Sequence, residues 1–250
     1  MSHISRKLGQ LPYFDAQLGH PEWQGKYVLD FGGNAGNILN TPLPVIDEEM
    51  YWCLDISPDG IAEGKRMHPK AHFVFYDRYN IQFNPAGSKS VEVPPLGRQF
   101  DYILAYSVFT HVDIGEMDYL TGRLMPLLRP SGIFAFTFID PFFKSWPGEF
   151  PGNNLQWRLD RMDIGTRTVA GILEKAGEAP CFAMAGDGDI YPASGPIPEP
   201  ERYVGKPYHV FHTADFMRKH FPAAQILPPA NYEMQHCCVL SNAGFCLSRE

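Results

Sequence analysis

One stretch, Val28-Leu-Asp-Phe-Gly-Gly-Asn-Ala-Gly36, constrains this chain more than any other: a short apolar run that holds an acid and passes straight into glycines. A run of this kind reads as a buried strand. Glycines directly after it read as a turn between this strand and a helix, one that passes through conformations closed to other residues and lets a ligand approach the main chain closely. The same strand-then-acid pattern returns at Met50-Tyr-Trp-Cys-Leu-Asp55 and at Ala71-His-Phe-Val-Phe-Tyr-Asp77. Ser57-Pro58 then has the residue types of a helix N-cap and first helical position.

The alternation continues. Phe100 to Tyr106 reads as a fourth strand, and Met117, Leu120, Leu124 and Leu127 mark one face of a helix whose last turn Pro126 should distort. Arg129-Pro-Ser-Gly132 reads as a turn into a fifth strand, Ile133 to Ile139, while residues 80–99 read as a loop. Strands alternating with helices at this spacing predict a doubly wound α/β sheet with parallel strands. Thr213 to His220 predicts another helix, and 224–227 with 235–240 predict an antiparallel hairpin. Between them, residues 140–208 are rich in Pro and Gly, with one helix expected near 167–175. The segment is too long for an ordinary connection, so a substrate cap is expected there. The alternative reading is a surface that packs on a second copy of the chain in a homo-oligomer. The organisation is thus one domain over 1–250: an N-terminal helical or lid segment 1–25, a core 26–139, the cap insertion 140–208, and a closing helix and hairpin 209–250.

Composition narrows the partners. With 21 basic and 28 acidic residues the formal charge is −7, which argues against a large surface for tracking nucleic acid phosphates. Five cysteines without a paired framework suggest reduced thiols. Cys237 and Cys238 should lie on opposite faces of one strand. No segment approaches the length of a membrane span and no apolar stretch follows the first residues, so neither membrane nor signal peptide is expected and a cytoplasmic location is the default. No metal is expected: Asp140, Asp187 and Asp189 could gather around a cation, but a polar turn is the simpler reading.

Val28 to Gly36, Leu54-Asp-Ile-Ser-Pro58, Asp77, Phe100 to Val112 and Leu127 to Gly132 together resemble the class I S-adenosylmethionine-dependent methyltransferase family. The resemblance spans about residues 26–140 plus the final hairpin. It implies a Rossmann-like sheet of seven strands whose last strand is antiparallel, with S-adenosyl-L-methionine as cofactor. Asp30, Gly32, Gly33, Asn34 and Gly36 would form the loop around the methionine part, Asp55 would hold the ribose with Ile56 beside the adenine, and Asp77 would face the adenine amino group. Tyr106 and Ser107 would border the transferred methyl. Asn34 stands where the family usually has glycine, although Asn also tolerates positive φ.

An oxygen acceptor must lose a proton, and His111, just after the fourth strand, is the expected base. His209 and His212 could enter the site from above. A small organic acceptor is expected, methylated on oxygen or nitrogen. Tyr13, Phe14, Trp23, Phe142, Phe143, Trp146 and Trp157 are available to line its pocket or to fill core. Two other functions compete: a relative that binds the cofactor without methylating, and a nicotinamide-dependent oxidoreductase. Gly32-Gly-Asn-Ala-Gly36 lacks the Gly-x-Gly-x-x-Gly spacing of the oxidoreductase.

Overall fold

The computed structural model describes residues 9–41, 44–144, 153–155, 159, 171, 174, 180–186, 189–193, 197–230 and 234–242. In chain order the elements are α1 Gln10–Gln17, β1 Val28–Phe31, β2 Tyr51–Asp55, α2 Pro58–Met67, β3 His72–Phe75, β4 Phe100–Ala105, α3 Ile114–Leu124 and β5 Leu128–Phe138. They are followed by β6 Cys181–Ala185, β7 Asp189–Pro192, β8 Tyr208–His212, α4 Ala214–His220, β9 Gln225–Leu227 and β10 His236–Ser241.

Every residue of β1 and β2 is buried, as expected of central parallel strands covered on both faces. The main sheet has seven strands in the order β3-β2-β1-β4-β5-β10-β9, with β10 antiparallel to both of its neighbours. The chain therefore starts in the middle, runs out to β3, and crosses back to pair β4 with β1. That reversal opens a crevice at the C-terminal ends of β1 and β4. Leu29, Leu54, Phe136 and Cys238 pack with α3 and α4 on one face; Val28, Cys53, Ala135 and Cys237 pack with α1 and α2 on the other. The adjacent cysteines thus lie on opposite faces.

Local chemistry sets the element ends. Ser57 Oγ accepts from Gly60 N at 3.1 Å, Asp113 Oδ1 from Glu116 N at 2.8 Å, and Thr213 Oγ1 from Phe216 N at 3.1 Å, each satisfying a helix N–H that has no partner in its own helix. Pro126 converts the end of α3 into a 3-10 turn over Met125–Leu127.

Three expectations need correction. No helix follows the glycines: residues 32–40 form hydrogen-bonded turns, Gly36 N to Gly33 O at 2.9 Å and Leu39 N to Gly36 O at 2.9 Å. Gly36, Asn37, Asn40 and Thr41 are poor helix formers, and the turns are anchored instead by fully buried Ile38. Arg129–Gly132 lie inside β5 as an irregularity, Phe100 pairing with Leu128 and Tyr102 already with Ile133.

The third correction is the insertion, which contains a sheet of its own in the order β7-β6-β8. Strand β8 crosses the boundary expected at 208/209, so the insertion extends to His212. The helix expected near 167–175 lies outside the described residues except for Gly171 and Glu174, both helical. The insertion is clasped at its base, His212 N donating to Ile139 O at 3.0 Å and Ala214 N to Asp140 Oδ2 at 2.9 Å. Asp140 also accepts from Phe142 N, so its carboxylate serves the backbone. Asp187 lies outside the described residues.

Helix α2 can lie on β3 only because residue 64 is glycine: a Cβ there would stand 2.2 Å from Phe73 Cε1. Gly64→Ala should therefore destabilise the fold by about 1–3 kcal/mol through overpacking, although Ala is the better helix former. Urea unfolding checks the sign, and a more stable variant would contradict this packing.

Candidate functional site

A cavity of about 430 Å³ lies in the crevice at the ends of β1, β2 and β4, within the usual size range of small-molecule sites. It brings together Gly32, Asn34, Asp55, Ile56, Tyr106, Ser107 and His111 of the expected residues. Phe31, Leu54, Val108 and Leu120 make it largely apolar.

The glycine turn is shaped by backbone needs. Gly32 has φ 81° and Asn34 φ 52°, so the Asn that stands in a usual glycine position does adopt the left-handed region. A Cβ on Gly32 would lie 2.3 Å from Val108 Cγ2. Asn34 N donates to Asp55 Oδ2 at 2.7 Å, and Ser57 N donates to Asp55 Oδ1 at 2.7 Å. Asp55 thus ties the turn to the start of α2 while each oxygen keeps a second lone pair for a hydroxyl. Burial pushes its pKa upward.

Asp30 does not line the cavity. It is buried beneath the turn, where Tyr51 Oη donates to its Oδ2 at 2.7 Å. Gly33 is required by this acid, since a Cβ there would stand 2.2 Å from Asp30 Oδ2. Burial raises Asp30 from 3.8 to about 7, against the lowering effect of the Tyr51 bond and with a smaller push from Asp55. Gly36, with φ 83°, also lies off the cavity and packs against Phe73 and His68.

Asp77 is exposed and away from the cavity, its Oδ1 accepting from Asn84 Nδ2 at 3.0 Å. Its neighbours Tyr76, Arg78, Tyr79, Asn80 and Phe83 line the cavity instead. They lie in or beside the segment that reads as irregular, where no periodicity reveals which side chains turn inward. Arg78 is bound through Nε and Nη2 to both oxygens of Glu116 at 2.8 Å, lies 4.1 Å from the Tyr119 ring centroid, and donates to the carbonyls of Lys89 and Val91. That pair neutralises two charges within the cavity wall.

Ser107 has φ 60°, a conformation costing roughly 1–2 kcal/mol outside glycine. It is held there by Thr137 Oγ1, which accepts from Ser107 N at 2.7 Å, and by Thr110, whose hydroxyl donates to Ser107 O at 2.9 Å. Stored strain of this kind gathers at functional sites. His111 follows, half-buried, with its Nδ1 2.7 Å from Tyr208 O on β8. A carbonyl partner requires an N–H, so Nδ1 carries the proton and the neutral ring has its lone pair on Nε2.

A second cavity, of about 190 Å³, shares Tyr79, Asn80, His111, Val112 and Glu116 with the first and extends to Ile197, Pro200 and Tyr208 of the insertion. His209 and His212 line neither. His209 lies behind His111, ring centroids 4.9 Å apart. His212 is fully buried, its Nδ1 3.0 Å from Cys181 Sγ, and burial lowers it to about 3. The two histidines stand three residues apart on β8 and so point to opposite faces of the small sheet, and neither face delivers them to a cavity. Among the aromatics, Tyr13, Phe14 and Trp23 are core, Phe143 packs on His236, Phe142 is exposed, and Trp146 and Trp157 lie outside the described residues. From α1, Gln10 reaches the first cavity.

Residues 29–134 match the model of a family described as a methyltransferase domain. Among solved structures the chain is similar to a DhpI-SAM-HEP complex, with 14% identity, 92% of this chain and 87% of that chain covered, and a TM-score of 0.49. It is also similar to the glycopeptide N-methyltransferase MtfA complexed with S-adenosyl-L-homocysteine (11% identity, 92% and 86% covered, TM-score 0.49). A third is an S-adenosylmethionine-dependent methyltransferase from Clostridium acetobutylicum (11%, 92% and 88%, TM-score 0.48).

The buried acid gives a prediction. Asp30 binds its proton more tightly folded than unfolded, so its contribution to stability is fully present below pH 3.8 and is lost as pH rises through about 7. At 1.36 kcal/mol per unit that loss is roughly 4 kcal/mol. Asp30→Asn cannot ionise, so its stability should fall less than that of the wild type between pH 4 and 8 in parallel denaturant titrations. Parallel pH profiles would show that the carboxyl is not perturbed.

Proposed function

We propose that this chain, whose residues 29–134 match a methyltransferase domain, is a class I S-adenosylmethionine-dependent methyltransferase that methylates an oxygen or nitrogen of a small organic acceptor, with His111 as the base. One observation carries the reading: the cavity at the glycine turn and the cavity beneath the insertion meet at His111. The first suits the cofactor and the second the acceptor.

The residues of the first cavity fit S-adenosylmethionine. Its volume and apolar walls suit an adenosine, and the remaining lone pairs of Asp55 suit a ribose diol. Leu54 and Ile56 would flank the adenine, while Gly32, Tyr106 and Ser107 would border the amino-acid end. When bound, this cofactor supplies an electrophilic methyl group on a sulfonium. The chain's part is to align the acceptor and to exclude water, and such positioning supplies much of the acceleration in a two-substrate displacement. His111, with its proton fixed on Nδ1 by Tyr208 O, would accept the acceptor's proton at Nε2.

A dinucleotide oxidoreductase fits poorly. Its pyrophosphate needs a helix N-terminus after the glycines, whereas residues 32–40 are turns, and the nearest buried charges are the acids Asp30 and Asp55.

The test is incubation with isotopically labelled S-adenosylmethionine and a metabolite extract, followed by mass spectrometry for compounds that gain the label. Gain of label by a small metabolite supports the reading. Binding of the cofactor with no compound labelled would favour the non-methylating relative. Asp55→Asn should weaken cofactor binding about tenfold to a hundredfold in calorimetry, the loss of one charge-assisted acceptor. His111→Gln, which keeps a donor for Tyr208 O, should leave cofactor affinity unchanged and slow methylation of a hydroxyl acceptor by about 10²–10⁴-fold. An unchanged rate would remove His111 from the chemistry.

A further inference from the structure

Strand β5 carries one hydroxyl in an otherwise apolar run, Ile133-Phe-Ala-Phe-Thr-Phe-Ile139. Thr137 is fully buried. Valine would fill the same space without burying a polar group, so the reason for a threonine lies in its bonds. Its Oγ1 accepts from Ser107 N at 2.7 Å and donates to Gln235 Oε1. A main-chain N–H can only donate, and this fixes the sense of the whole relay. Thr137 must present a lone pair to Ser107, its single proton must go the other way, and Gln235 must offer Oε1 and not Nε2.

Gln235 stands just before β10, two residues ahead of Cys237, the partner of Thr137 across the β5–β10 pair. It is held in turn from α1, Tyr13 Oη donating to its carbonyl at 2.7 Å. The Tyr13 ring also meets the ring of Tyr106 edge-on, centroids 5.6 Å apart.

At the other end of the relay is Ser107, at φ 60° on the wall of the first cavity beside Tyr106 and Val108. A serine stays in the left-handed region only where its surroundings over-determine it. Thr110 restrains its carbonyl and Thr137 its amide. Without the second restraint the Tyr106–Ser107 peptide is free to relax, and both wall residues turn with it. Thr137, Gln235 and Tyr13 themselves line no part of the cavity.

On the reading that the first cavity takes S-adenosylmethionine, we infer that Thr137 and Gln235 are positioning residues of the cofactor site. From outside the cavity they set the Ser107 backbone that borders the amino-acid end of the cofactor. Cofactor affinity thus depends on the strand that closes the sheet, although β10 contributes no residue to the cavity wall.

Calorimetric titration of the whole protein with S-adenosylhomocysteine tests this without an acceptor. Thr137→Val should weaken binding about five- to fiftyfold, since it leaves the Ser107 N–H buried and unpaired. Gln235→Met, at a half-buried position, removes the acceptor and should weaken binding about two- to tenfold. Thr137→Ser and Gln235→Glu keep the hydroxyl and the acceptor, and both should bind within about twofold of the wild type. Ser107→Gly removes the strain that the relay holds, so Thr137→Val should cost less in that background. A general loss of stability would produce no such coupling. Equal penalties in the two backgrounds, a Thr137→Ser protein as weak as Thr137→Val, or unchanged affinity in Gln235→Met would overturn the inference while leaving the methyltransferase reading intact. Should Thr137→Val not fold, the contrast between Gln235→Met and Gln235→Glu decides alone. Failure of S-adenosylhomocysteine to bind the wild type would instead overturn that reading, and this inference with it.

Discussion

The carboxylate of Asp55 holds together what the rest of the site is built on. It accepts one N–H from the glycine turn after β1 and one from the start of α2. A buried acid is costly unless such bonds satisfy it, and here the bonds also fix the turn's course. Asn34 can then sit in the left-handed region with its side chain over Gly60, where a Cβ would lie 2.0 Å from Asn34 Oδ1. The crevice floor is therefore a set of mutually dependent backbone positions, and Asp30 braces it from below through Tyr51.

The insertion is coupled to this floor through hydrogen bonds at its base and at its tip. The bonds of Ile139 and Asp140 to residues 212 and 214 hold the small sheet against the end of β5, and Tyr208 O fixes the His111 ring. A change of acceptor specificity within the small sheet would thus be felt at the residue proposed as base. Arg78 and Glu116 stiffen the same region by closing the loop after β3 onto α3.

Much of the fold was legible because its signals are local. A helix cap acts within three residues, a proline ends the turn it occupies, and a stripe at helical spacing reports one buried face: Ser57, Pro126 and the Met117–Leu124 stripe all read correctly. The glycine turn, Asp55 and the residues after β4 were legible for the same reason, being short patterns with narrow backbone requirements. The helix expected after the glycines failed because the strand-turn-helix pattern was extended over residues whose own propensities oppose it.

The small sheet was not legible, because Cys181–Ala185 carries no β-branched residue and its pairing with Tyr208–His212 is made across a long stretch of chain. Nor could the wall of the cavity be read. Whether Asp77 or its neighbour Arg78 turns inward depends on how an irregular segment lies over α3, and whether His209 reaches the site or stands behind His111 depends on the register of β8. The amino-acid sequence by itself determined the strands, their caps and the acid-and-glycine floor, since those follow from near-neighbour sterics and hydrogen bonding. Only the tertiary structure decided which side chains share the cavity, because that depends on contacts between residues far apart in the chain.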